Sequence, residues 1–163
     1  MTGWRGSVKF ALFPHMISRN SSSLSTRRRI LLVDDNANGL AARKSVLEEL
    51  GYSIVTSTSG ADALEQFESP DPFDLVVTDY KMPRMDGLEL IGRLRKHTPS
   101  LPIVLISGYV DTLGMNEAST GADVVIQKSA NEVSHLIRSV NRLLRRKSVK
   151  AQAAPPKTKR KSA

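Results

Sequence analysis

The chain contains no cysteine. This excludes disulfides, thiolate metal centres and a cysteine nucleophile, and it agrees with a reducing compartment, read as the cytoplasm. No apolar run approaches the roughly 18–20 residues needed to cross a bilayer as a helix, so no membrane span is expected. The opening stretch MTGWRGSVKFALFPHMISRN holds a short apolar patch that Pro14 interrupts, without a small-residue cleavage site after it. Met1 and Met16 both stand as starting residues. Acid is missing from both ends. All sixteen Asp and Glu lie between Asp34 and Glu132, and the segment from Arg29 to Val140 that contains them holds only ten Lys and Arg. The formal charge of +8 therefore describes two basic ends attached to an acidic middle.

Three segments follow from this distribution. Residues 1–28 end in SSSLSTRR and read as a flexible basic arm. Residues 29–146 carry all the hydrophobic periodicity. Residues 147–163, KSVKAQAAPPKTKRKSA, read as a disordered basic tail. Lys157, Lys159, Arg160 and Lys161 suit weak contacts to nucleic-acid phosphates without sequence preference. No aromatic residue interleaves them, which argues against stacking on single strands.

In the middle segment, five short apolar runs alternate with amphipathic stretches. The strands are Ile30–Val33, Tyr52–Val55, Phe73–Asp79, Pro102–Ser107 and a run within Asp123–Lys128. The first helix follows a capping Asn36 and shows Leu40, Val46, Leu47 and Leu50 at helical spacing, stopping at Gly51. A second runs from Ala61 to Phe67, and a third from Leu88 to Leu94 after a capping Asp86. Residues 111–120 suggest one short, weak helix. Asn131 caps a fifth, carrying Val133, Leu136, Ile137, Val140 and Leu144. Five strands alternating with five helices imply an α/β fold built from right-handed βαβ units, with a parallel sheet covered on both faces.

Ligands of an open parallel sheet gather beyond the carboxyl ends of its strands. Four strand ends carry polar groups: Asp34 and Asp35, Asp79, Ser107, and Lys128. Converging carboxylates repel one another by about 4 kcal/mol per pair at ~4 Å and an effective dielectric of ~20. A hard divalent cation and the Lys128 ammonium are the two groups suited to neutralise them. Mg²⁺ binds through one or two carboxylates plus phosphate oxygens, which fits phosphoryl transfer. A carboxylate beside such an ion is a nucleophile for an activated phosphoryl group, and an ammonium and a hydroxyl are the donors to place around it. His15, His97 and His135 are scattered and suggest no relay.

The stretches ILLVDDN (30–36), DLVVTDYKMPRMDGLEL (74–90), PIVLISGY (102–109) and GADVVIQK (121–128) resemble the receiver domain of bacterial two-component response regulators. The resemblance implies a single flavodoxin-like, doubly wound domain with strand order 2-1-3-4-5. By the same resemblance, Asp79 accepts a phosphoryl group from a sensor histidine kinase or phosphotransfer protein. Asp35 would ligate Mg²⁺ directly, Asp34 largely through water, and the backbone carbonyl of Lys81 would complete the protein's share. Lys128 would pair with the phosphoryl group, and Ser107 would hydrogen-bond it, moving inward as the switch is thrown. The side chains of Lys81 and Tyr109 would tune dephosphorylation. The downstream partner is an unidentified protein, docking through the fourth helix, fifth strand and fifth helix; a second copy of the chain is a further candidate. The chain would not be an enzyme in its own right. A phosphatase with an Asp nucleophile would need an acid two residues on, where Lys81 stands.

Two positions depart from the family pattern. Ser129 replaces the proline that usually follows the lysine, and a cis bond before a non-proline costs about 2.5–4 kcal/mol. The Lys128–Ser129 bond is therefore expected to be trans. Val125 stands where an aromatic residue is common, so no ring can swing inward to couple with Ser107.

Overall fold

The computed structural model describes residues 27–152. The five apolar runs form strands β1 (Arg29–Val33), β2 (Ser53–Ser57), β3 (Leu75–Asp79), β4 (Ile103–Ser107) and β5 (Val124–Gln127). All neighbours pair in parallel, in the order β2-β1-β3-β4-β5. The order reverses between β1 and β3, and this places their carboxyl ends side by side at a crevice. β2 extends past the expected Val55 because Thr56 and Ser57 pair with Leu32 and Val33.

Successive strand residues face opposite sides of the sheet. Ile30, Leu32, Leu75, Val77, Val104 and Ile106 pack in one core with Leu40, Leu47, Leu136 and Val140. These helical partners come from α1 (Ala37–Glu49) and α6 (Glu132–Gln152). Leu31, Val33, Val76, Ile103 and Leu105 pack on the other side with Ala63, Leu90, Ile91 and Leu94. Those come from α2 (Gly60–Phe67) and α3 (Gly87–His97). A strand interior with both faces buried explains the continuous apolar runs.

The helices correct several expectations. Residues 111–120 do not form one helix. They form two single turns, α4 (Val110–Leu113) and α5 (Glu117–Thr120), so six helices are described rather than five. Gly114 ends the first turn at φ 58°, a left-handed conformation that glycine adopts without a Cβ clash. Asn116 and Ser119 then cap the second reciprocally. Asn36 and Asp86 cap α1 and α3 as expected. Asn131 makes no side-chain cap for α6; Ser129 Oγ instead accepts from the Asn131 N–H at 3.3 Å. Leu50 and Val133 are exposed, and Leu143 joins the core in their stead. The buried stripe of α1 is Leu40, Arg43 and Leu47.

Helix α6 runs on to Gln152, into the segment expected to be a disordered tail from residue 147. A polar clamp at the amino edge of the sheet holds Lys147 and Ser148 of this helix. Asp74 accepts from Arg28 Nη1 at 2.9 Å, the Arg29 N–H at 3.0 Å and Lys147 Nζ at 3.3 Å. Arg28 Nη2 also donates to Ser148 Oγ at 2.7 Å. The arm up to residue 26, the tail from 153, and the lysines and arginine proposed to touch phosphates lie outside the described residues. No helix among the described residues is long and apolar enough to cross a membrane.

Burial alone would raise the pKa of Asp74, but these three donors outweigh it and hold its carboxyl below the ordinary aspartate value. An aspartate depressed in this way adds stability above its unfolded pKa, and that stability is lost as pH falls through the folded value. Asp74→Asn is expected to cost about 1 kcal/mol at pH 7, a drop in melting temperature of about 3–5 °C. The gap should close as pH falls below 3.8. Thermal melts by circular dichroism across that range check this; a gap that stays constant in acid contradicts it.

Candidate functional site

Asp34 directly follows β1, and Asp79 ends β3. Two-residue alternation puts both on the α1/α6 side of the sheet, and neighbouring parallel strands bring them together. Oxygens of Asp34, Asp35 and Asp79 all lie within 4.8 Å of one another. Asp34 and Asp79 are buried, while Asp35 is exposed. The three acids, with Asn36, Lys81, Met82, Pro83, Gly108, Tyr109 and Lys128, line an open cleft of about 710 Å³. A groove of about 650 Å³ between α2 and α3 is lined by Leu64, Glu68, Glu89, Arg93 and Lys96 but holds no buried polar cluster.

Lys128 comes from the end of β5, where its N–H donates to the Ser107 carbonyl at 2.9 Å. Its Nζ lies 2.5 Å from Asp79 Oδ1. The two form an ion pair across the cleft. The Lys128–Ser129 bond is trans, as expected from the missing proline. Burial pushes the Asp79 carboxyl above the ordinary aspartate range; Asp34 adds to the shift, and Lys128 and Arg43 oppose it without cancelling it. A deprotonated Asp79 is therefore undercompensated by the protein's own cations. That imbalance and the three converging carboxylates fit a hard divalent cation at this place.

Not every expected residue meets the cleft. Ser107 is buried and does not line it; its Oγ accepts from the Tyr109 N–H at 3.0 Å. Lys81 Nζ donates to Tyr109 Oη at 3.4 Å and lies 5.7 Å from the centre of that ring. These two side chains form one rim of the cleft. Val125 is half-buried against the α2/α3 core.

Arg43 was missed by sequence reading. It is buried on α1, contacts Asp34 Oδ2 through Nη1, and donates from Nε to Glu132 Oε1 at 2.7 Å. Burial works against its charge, but Glu132 and Asp34 more than compensate. The available signal was its place midway along the stripe from Leu40 to Leu47, where an apolar residue belongs.

A family model described as the response regulator receiver domain matches residues 30–141. The chain is 29% identical over 117 residues to the response regulator receiver protein CpdR of Brucella abortus, covering 72% of this chain and 97% of CpdR. It is 30% identical over 136 residues to the transcriptional regulatory protein PhoP of Bacillus subtilis, covering 80% of this chain but only 54% of PhoP. Among solved structures, the response regulator TrrA of Thermotoga maritima, in complex with Mg²⁺-BeF, is similar with a TM-score of 0.64 and 37% identity. That match covers 71% of this chain and 98% of TrrA.

The loop from β3 to α3 returns tightly under the acidic cluster. Gly87 donates its N–H to the Tyr80 carbonyl at 2.8 Å, and a Cβ there would lie 2.4 Å from the Asp79 carbonyl oxygen. Gly92 sits in the same helix with nothing within 4 Å of a Cβ. Alanine favours a helix interior over glycine by about 1 kcal/mol. Gly92→Ala should therefore raise stability by up to that amount, whereas Gly87→Ala should lower it by about 1–3 kcal/mol through backbone overlap. Urea denaturation of both variants is the check. Equal effects of one sign would rule out this account of the loop.

Proposed function

This chain belongs to the response regulator receiver family of two-component signalling proteins, and we propose that it is a stand-alone phosphoryl-accepting switch whose acceptor is Asp79. One observation carries the reading: three carboxylates share a cleft in which the buried Asp79 pairs with Lys128. The similarity to TrrA, whose complex holds Mg²⁺-BeF, supports the choice of ion.

Asp35, exposed and next to the buried pair, would ligate Mg²⁺ directly. Asp34 would act largely through water, because its Oδ1 already accepts from the Asn36 N–H at 2.8 Å and its Oδ2 is held by Arg43. The Lys81 carbonyl and Asp79 itself complete the set. Bound Mg²⁺ would supply positive charge to the equatorial oxygens of the group in transit. An Asp79 oxygen forms the new bond to phosphorus as the bond from phosphorus to the donor's imidazole nitrogen breaks. That nitrogen keeps the electron pair. The donor is a sensor histidine kinase or a phosphotransfer protein, and the compartment is the cytoplasm.

Lys128 is poised to leave the Asp79 carboxylate and pair with the incoming phosphoryl oxygens, which carry more negative charge. Ser107 would donate its O–H to a phosphoryl oxygen and, in moving towards it, give up the bond that its Oγ accepts from the Tyr109 N–H. Such an exchange repositions the start of α4, because Tyr109 directly precedes it. The surface formed by α4, α5, β5 and α6 would then present a changed face to a protein partner. With Val125 in place of an aromatic residue, this hydroxyl exchange carries the signal without a ring rotation. Lys81 and Tyr109 would limit the access of water that hydrolyses the acyl phosphate.

Incubation of the full chain with a small phosphodonor and Mg²⁺, followed by intact mass, tests the reading. One added phosphoryl group is expected on the native chain and none on Asp79→Asn or without divalent ion. Labelling that survives Asp79→Asn would remove Asp79 as the acceptor.

A further inference from the structure

Arg43 is a charged residue at a core position. It lies one turn from Leu40 and one from Leu47 on the buried stripe of α1, with only 8% of its surface exposed. Its guanidinium bridges two acids from distant parts of the chain. Nη1 holds Asp34 Oδ2, and Nε holds Glu132 Oε1 at 2.7 Å. Glu132 is the first residue of α6, four positions beyond Lys128, and its side chain is also largely buried. Gly39 packs closely on this pair: a Cβ there would lie 3.1 Å from Asp34 Oδ2 and 3.2 Å from Arg43 Nη1.

We propose that Arg43 is a positioning residue that sets the affinity of the acidic cleft for its divalent cation, and that Glu132 sets how strongly Arg43 does so. The inference rests on the cleft being the ion site. Asp34 is one of the three acids facing the ion, and Arg43 neutralises it from behind. An incoming cation therefore competes with a guanidinium that is permanently charged. Glu132 draws the same guanidinium the other way, towards α6. Whatever strengthens the Arg43–Glu132 contact frees Asp34 for the ion, and whatever weakens it commits Arg43 to Asp34. Linkage makes the coupling reciprocal: an ion in the cleft shifts Arg43 towards Glu132 and tightens the join between α1 and the start of α6. Ion occupancy is thereby reported to the segment that carries Lys128.

The two partners should act in opposite directions, which a merely structural ion pair would not do. Binding of Mn²⁺ to the full chain, followed by loss of the free-ion electron paramagnetic resonance signal at fixed ionic strength, gives the affinity directly. Arg43→Met is expected to bind Mn²⁺ about tenfold more tightly, the size of a change worth 1.4 kcal/mol. Glu132→Gln is expected to bind it about threefold more weakly than the native chain. In the Arg43→Met background, Glu132→Gln should have almost no effect, because its influence runs through the guanidinium. Arg43→Lys, whose single ammonium cannot fork to both acids, serves as the background if the methionine variant does not fold. Unchanged or weaker binding by Arg43→Met overturns the proposal. So does a Glu132→Gln effect that persists undiminished in either background, since Glu132 would then act by its own field. If the native chain binds no Mn²⁺ at all, the ion site itself fails, and the functional reading falls with it.

Discussion

An excess of negative charge at the carboxyl edge of the sheet is the constraint around which this molecule is arranged. Asp34, Asp35 and Asp79 crowd into one cleft, and two of them are buried. At Asp79, burial and the neighbouring Asp34 both oppose ionisation. Two cations answer from opposite sides. Lys128 reaches Asp79 from the solvent-facing rim, and Arg43 reaches Asp34 from the core. Asp79 nevertheless stays above its ordinary pKa. The protein's own charges thus leave the cluster short of balance, which suits a hard divalent cation at this place.

The fold makes this crowding tolerable by rigidity. Strands β1 and β3 are buried over most of their length and pair in register from Ile30–Leu75 to Val33–Thr78. The acids at their ends therefore cannot move apart without disrupting the sheet. At the opposite edge, Asp74 is satisfied by three donors and ties the ends of β1, β3 and α6 together. One edge is held by complete hydrogen bonding, and the other carries the unbalanced charge. Stability and chemistry are separated by the length of the strands.

Much of this was legible from sequence because each strand is a continuous apolar run closed by a polar residue. The runs at Ile30, Leu75 and Ile103 gave the strands. The alternation with amphipathic stretches implied a parallel sheet, and Asp34, Asp79 and Lys128 at the run ends implied a shared rim. Local signals also sufficed for the caps at Asn36 and Asp86. They failed at residues 111–120, where Gly114 and Asn116 each punctuate a stretch too short to show a period. They failed again at Asn131, because Ser129 took up the turn two residues earlier.

What the sequence by itself determined is the order of elements and the chemical type of residue at each strand end. Both are properties of contiguous segments, and hydrophobic periodicity reports them. Only the tertiary structure decided that Arg43 faces inward between Asp34 and Glu132, that Ser107 turns its hydroxyl to Tyr109 rather than to the cleft, and that α6 persists to meet Asp74 through Lys147. These depend on the rotation of helices about their axes and on contacts between residues far apart along the chain. A charged residue on an apolar stripe looks like a solvated one until its partners, brought from other elements, are seen beside it.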